Sequence, residues 1–205
     1  MYSTLPQAYA DRAKALIHGR TRAELLYAAL EVRMGVEARL QSYVQASSQV
    51  SSALKRGWEI HKLFKGLEGT FSNSNQVVEL EVSALGNDSD SALMHFIPVR
   101  KRLRDCVVRF GNALHYTRDS HSSEEWWKVL EESVVAAVRD LEVCSKATLL
   151  GVPLQNSSST QVQLKFEFRK DDPRIAVVQR FAVSGQGLSF RVSYIPTEEY
   201  YANAA

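Results

Sequence analysis

The apolar residues of this chain change their spacing along its length, and that change limits which elements it can form. From about residue 7 to residue 50 they recur at helical intervals, with Leu25, Ala29, Val32, Val36, Leu40 and Tyr43 on one stripe. Such a stripe marks a helix with one buried face. Thr21 followed three residues later by Glu24 is a capping-box pattern, so a helix is expected to begin near Arg22. A second helix is expected over about 51–67, burying Leu54, Trp58, Leu63 and the stem of His61 or Lys62, and stopping near Gly66 or Gly69. The period then becomes two over 77–82. Turn residues follow at 86–91, and 93–99 reads as the return strand of a hairpin inserted between helices. A third helix is expected from about Pro98 to about Tyr116. A fourth begins after His121-Ser122-Ser123, with Glu124 and Glu125 at its positive end, and continues through Leu130, Val134, Val138 and Leu141 to about Ala147.

Gly151-Val152-Pro153 ends this helical part, and residues 156–160 read as a linker. Three strands are expected beyond it, at 162–168, 175–183 and 188–195, joined by turn sequences at 170–173 and 184–187. An antiparallel meander of that size is not stable alone, so it should pack on the helices or on another chain. The expected fold is therefore α+β and mainly α. It is an up-and-down bundle of about four helices over 1–150, with a hairpin insertion at about 76–99 and a C-terminal β-meander over 160–197 packed on it.

Composition narrows the function classes. Lys plus Arg (25) nearly balance Asp plus Glu (23), which excludes a coat held on nucleic acid by bulk charge and leaves room for a local basic patch. The two cysteines, Cys106 and Cys144, lie far apart inside helical patterns, and neither they nor the five histidines have zinc-ligand spacing. They read as buried thiols in a reducing compartment. No metal and no cofactor is expected, and no Gly-rich phosphate loop is present. The first thirty residues lack the apolar core of a signal peptide, and no apolar run approaches bilayer length, so a cytoplasmic protein without membrane contact is expected.

The third helix carries the candidate chemistry. With Arg109 at 0° and about 100° per residue, Leu103, Cys106, Val107, Phe110 and Leu114 fall between roughly 60° and 160° as a buried stripe. Asn112 and His115 lie at about 300° and about 240°, so Arg109, Asn112 and His115 share a polar face on which Val108 is the one apolar residue. An imidazole titrates near neutrality and can take the proton of a ribose 2′-hydroxyl or return one to the leaving 5′-oxygen. A guanidinium offers a fixed fork to the nonbridging phosphate oxygens as charge builds there. Asn112 can orient the phosphate or the imidazole. This chemistry needs RNA and no metal. Arg100, Lys101, Arg102 and Arg104, one to two turns upstream, are the candidate RNA-binding residues. The ordinary structural alternative pairs Arg109 with Asp105 and leaves His115 at the negative end of the helix. For the other charged residues of the first helix, a surface pair between Arg33 and Glu37 is expected. Trp126 and Trp127 are expected to divide into one core and one interface ring, and Tyr194, Tyr200 and Tyr201 to pack at the end of the sheet.

Arg109 and His115, five residues apart within a four-helix pattern, resemble the Arg-x(4–6)-His signature of the HEPN-domain superfamily. The stretch from Leu25 to Glu37 resembles that superfamily's first long helix. The likeness covers about residues 7–147. It implies a helical core that forms a homodimer, joining two Arg–His sets in a shared cleft. It also implies endoribonuclease activity in toxin, abortive-infection or CRISPR-linked defence, with RNA as substrate and an antitoxin or regulatory protein as a further partner. By motif match Arg109 and His115 take the catalytic positions. Phe110 stands where many members carry a polar residue, leaving Asn112 in the intervening polar role. Some members of the superfamily are non-catalytic, and the alternative is a dimerisation or partner-binding module.

Overall fold

Local capping and burial place the first two helices. The computed structural model describes residues 2–19, 21–47, 50–57, 59–70, 75–115, 123–151 and 164–204. Helix α1 spans Pro6–Gly19 and α2 spans Arg22–Ala46. The Thr21 hydroxyl accepts from Glu24 N–H at 3.2 Å and the Glu24 carboxylate accepts from Thr21 N–H at 3.1 Å, which completes the expected capping box. Of the expected stripe, Ala29, Val32, Val36, Leu40 and Tyr43 are buried and Leu25 is half-buried. Helix α2 is the central element, packing on α1, α4 (Ile60–Thr70), α5 (Lys101–Ala113) and α6 (Glu124–Ser145). A Cβ at Gly35 would lie 2.6 Å from Leu141 and 2.9 Å from Tyr9, so a side chain of any size would hold α1, α2 and α6 apart.

The helix expected over 51–67 is two helices. Helix α3 (Ser52–Lys55) ends before Gly57, and α4 begins at Ile60. Gln45 donates to Lys55 O at 2.7 Å and Gln41 donates to Gly57 O, so side chains of α2 take carbonyls that a continuous helix would need for itself. Leu63, Phe64 and Leu67 are buried, Leu54 is half-buried, and His61 and Lys62 are exposed beside Glu59. Trp58 lies outside the described residues. Helix α5 starts three residues after Pro98, whose carbonyl accepts from the buried Tyr201 hydroxyl at 2.9 Å. It ends at Ala113 with Leu114 as its C-cap, short of the end expected near Tyr116. Ser123 caps α6 by accepting from Trp126 N–H at 3.1 Å.

Strands β1 (Gln76–Ala84) and β2 (Asn87–Phe96) form the expected hairpin, with a tighter turn. Only Leu85 and Gly86 separate the strands, and Gly86 has φ 81°, a left-handed conformation natural to glycine. The polar residues at 87–91 belong to β2 rather than to a loop.

The C-terminal meander is replaced by a different arrangement. Residues 175–183, expected as a strand, lie in helix α7 (Arg174–Ser184). The Asp172 carboxylate accepts from Arg174 N–H at 3.0 Å at its start, and Gly185 ends it with φ 64°. Within 164–168 the pairing is one bridge, Leu149 with Phe166, and Val162 lies outside the described residues. The expected strand at 188–195 does form, as β3 (Leu188–Pro196), and it pairs antiparallel with β1. Among the described residues there is one antiparallel sheet of three strands, in the order β2-β1-β3. Helix α8 (Thr197–Ala204) follows.

One face of this sheet joins the bundle core. Val78, Leu80 and Val82 of β1 stand beside Phe96, Met94 and Ala92 of β2, all buried. Phe96 meets the Tyr43 ring at 4.9 Å, and the Tyr43 hydroxyl donates to Ile97 O at 2.7 Å. The outer edge of β2 is covered. His95 N–H donates to the Thr148 hydroxyl at 3.2 Å, His95 O accepts from Thr148 and Leu149 N–H at 2.9 Å each, and Arg174 reaches Leu93 O at 2.9 Å.

Candidate functional site

Helix α5 presents its polar face beside α6. The expected stripe is inside, with Leu103, Cys106, Val107 and Phe110 buried and Leu114 half-buried. Arg109 and Asn112 are exposed on the opposite side, as the wheel requires, whereas His115, expected on the same helical face, is exposed just beyond the helix end. Arg109 does not pair with Asp105. Its Nη1 donates to the Ser133 hydroxyl of α6 at 2.9 Å, and that hydroxyl donates onward to Val129 O at 2.7 Å. One corner of the guanidinium is thereby held. His115 N–H donates to Asn112 O at 3.2 Å, a tight last turn that follows the C-cap Leu114 and sets both residues at the helix end.

Gly111 is the point where α2 approaches this end of α5. A Cβ there would lie 2.5 Å from Arg33 Nη1, so the guanidinium rests against the α5 backbone four residues before His115. Arg33 holds Glu37 at 3.2 Å, as expected, whereas Glu31 pairs with Arg12 at 2.9 Å.

The four upstream cations are engaged unequally. Arg100, only 10% exposed, donates to Asp140 through Nε at 2.7 Å and through Nη2, and to Glu198 of α8 at 3.1 Å. Burial opposes its charge, but bonding to the Asp140 carboxylate outweighs that and raises its pKa. Arg102 reaches the same carboxylate through Nε at 3.0 Å and Nη2 at 2.7 Å. Arg104 is held by Glu68 at 2.9 Å, and Lys101 is exposed. Arg100, Lys101 and Arg104 line a cavity of about 390 Å³ together with Glu68 and Glu198. Arg100 and Arg102 therefore act first as ties between α5 and α6, and the cluster expected to track RNA is largely neutralised by its own carboxylates.

Asp140, Ser133 and the Arg33–Gly111 contact escaped sequence reasoning. Asp140 had a signal: it interrupts the core stripe Ala137, Leu141 and Cys144 at a position where an apolar residue belongs, and a buried acid requires a partner. Ser133 and Gly111 had none, because their roles depend on which helices meet. His95 lies 3.0 Å from Glu79 across β1 and β2.

Both cysteines are buried, and burial pushes the Cys144 thiol up to about 12 and that of Cys106 up as well. Neither is poised as a nucleophile. Trp127 is buried and Trp126 half-buried, their rings edge-on at 4.9 Å. Tyr201 is buried, Tyr200 half-buried and Tyr194 exposed. Among the described residues no group of three or more His, Cys, Asp or Glu side chains is placed to hold a metal ion, and no helix is long and apolar enough to cross a membrane.

No family model, no curated protein and no solved structure matches this chain. Its function is therefore argued from the chemistry of the site itself.

Proposed function

We propose that this chain is a metal-independent endoribonuclease of HEPN type, acting on cytoplasmic RNA in a defence or toxin setting. The observation that carries the reading is the exposure of Arg109 and Asn112 on one face of α5, with His115 exposed just past the end of that helix. In this mechanism His115 removes the 2′-hydroxyl proton, and the 2′-oxygen forms a bond to phosphorus. The bond to the 5′-oxygen breaks, that oxygen takes up a proton, and a 2′,3′-cyclic phosphate remains. Arg109, with Nη1 anchored on Ser133, keeps its other donors for the nonbridging oxygens. Asn112 orients the phosphate, and Lys101 with Arg104 supplies longer-range attraction to the strand. A homodimer with a shared cleft, and a protein that restrains the activity, belong to the same reading.

Cleavage of RNA in excess EDTA tests it. Arg109→Ala and His115→Ala are each expected to lower the rate by about 100-fold or more, the usual yield of one acid–base or oxyanion group. Equal cleavage by all three proteins, or cleavage only with added metal, refutes the mechanism.

One observation favours a second reading, a non-catalytic partner-binding module. Val108, Val129 and Val135 are exposed on this same α5–α6 surface, beside a hollow lined by Arg102, Glu132, Val135 and Arg139. Growth arrest on expression that His115→Ala relieves supports the enzyme. Unchanged growth, with binding of a defined partner lost in Val108→Asp, supports the module.

A further inference from the structure

Strand β3 offers a long edge that the other described residues leave unpaired. Its register with β1 is unbroken over nine pairs, from Gln76 opposite Pro196 to Ala84 opposite Leu188. In an antiparallel ladder successive residues direct their N–H and C=O groups to alternate sides. His95 points both groups away from β1, toward Thr148 and Leu149. Glu79, opposite His95, therefore points its own toward Ser193 of β3. Counting along β3, Ser189, Arg191, Ser193 and Ile195 bond to β1, while Leu188, Phe190, Val192 and Tyr194 direct N–H and C=O outward. Among the described residues no group bonds to that outer edge. The edge of β2 is covered by Thr148, Leu149 and Arg174; among the described residues the edge of β3 has neither cover, bulge nor central proline, the usual protections against strand addition.

We infer that β3 is the pairing surface for a second copy of this chain, joined antiparallel about a two-fold axis at Val192. That register is self-complementary. It sets Phe190 opposite Tyr194 of the second copy, on the apolar face, and these side chains are 46% and 45% exposed in the single chain. It sets Arg191 opposite Ser193 of the copy. Arg191 is the one charged residue of the strand and already meets Glu81 at 3.4 Å; the copy's Ser193 stands next to Glu79 in its own sheet, so the cation faces a hydroxyl and a carboxylate. Pro196, which has no N–H, comes to the end of the ladder, where its carbonyl can accept from Leu188 of the copy. An axis one residue earlier would put the two Arg191 side chains directly opposite each other, and one residue later would leave Leu188 and Ser189 without partners. The pair would form one six-stranded sheet, β2-β1-β3-β3-β1-β2. A nine-residue edge contact is small for a specific interface, so the dimer is reversible and depends on concentration. The inference is independent of the ribonuclease reading, since pairing through β3 requires nothing of Arg109 or His115.

Sedimentation equilibrium of the full chain over a range of concentrations tests the inference, with two variants. The parent is expected to rise with concentration to at least twice the chain mass of 23.0 kDa. Val192→Pro removes an N–H that points outward and leaves the bonds to β1 in place, so it should keep the parent's circular dichroism and associate less strongly than the parent. Val192→Cys faces its own copy across the axis at about 5.5 Å between Cα atoms, within disulfide reach, and should form a covalent dimer on mild oxidation. Should Val192→Pro fail to fold, cross-linking of Val192→Cys decides alone. A parent that stays monomeric at its highest soluble concentration overturns the inference. So does a folded Val192→Pro that associates as strongly as the parent, or a Val192→Cys that does not cross-link.

Discussion

Asp140 shows how one residue can redirect the meaning of its neighbours. Read along the chain, Arg100, Lys101, Arg102 and Arg104 form a basic cluster; in the fold, two of the four converge on a carboxylate that is 2% exposed. Removing one partner of a buried ion pair strands the other without compensation. Asp140→Ala is expected to destabilise the protein by about 3 to 5 kcal/mol, whereas Arg102→Ala, at the half-exposed end of the network, should cost less than about 1 kcal/mol. Urea unfolding midpoints of the two variants check the ranking, and equal losses would contradict it. Arg109 and Asn112 were readable together because α5 carries both and its buried stripe fixes which side is out; His115 follows two residues after the helix ends. Ser133 was not readable, since its link to Arg109 exists only once α5 lies against α6.

At the scale of elements, α2, α5, α6, the hairpin and β3 follow their local patterns, and α7 stands where those patterns predict a strand. Ile175, Val177 and Val178 are β-branched and suggested a strand, but Ile175, Val178 and Phe181 also stand at helical spacing, and Phe181 is buried. Asp172 before the helix and Gly185 after it are helix-boundary signals that outweigh propensity here. The Asp172 carboxyl is held below its ordinary pKa, chiefly by hydrogen bonds from the Arg174 side chain. A lowered folded-state pKa stabilises the fold above the unfolded value of about 3.9, and that contribution disappears as pH falls through the lowered value. Asp172→Asn should therefore reduce stability at neutral pH and flatten its decline between about pH 4 and pH 2. Thermal melts of both proteins across that range check this, and parallel curves would contradict it.

For the whole molecule, the decisive contacts join residues distant in sequence. Strand β3 pairs with β1, more than a hundred residues earlier, so the C-terminal part completes the sheet begun by the hairpin rather than building its own. Gly35 governs how closely α1, α2 and α6 approach. Helix propensity alone gives Gly35→Ala a gain of about 1 kcal/mol. The added methyl would press on Tyr9 and Leu141, and overpacking of this kind costs about 1 to 3 kcal/mol. Gly35→Ala is expected to melt at a lower temperature than the parent, and a higher melting temperature would show that the crossing can widen freely.

The amino-acid sequence by itself determined the positions of the main helices, the hairpin and the polar face of α5. Periodicity and capping act between residues three or four apart and need no knowledge of the rest. The partner of β3, the helical state of α7 and the engagement of Arg100 and Arg102 were decided by tertiary structure. Each depends on burial against a distant segment, and burial alters the free energy of a hydrogen bond, an ion pair or a methyl group by more than local propensity does.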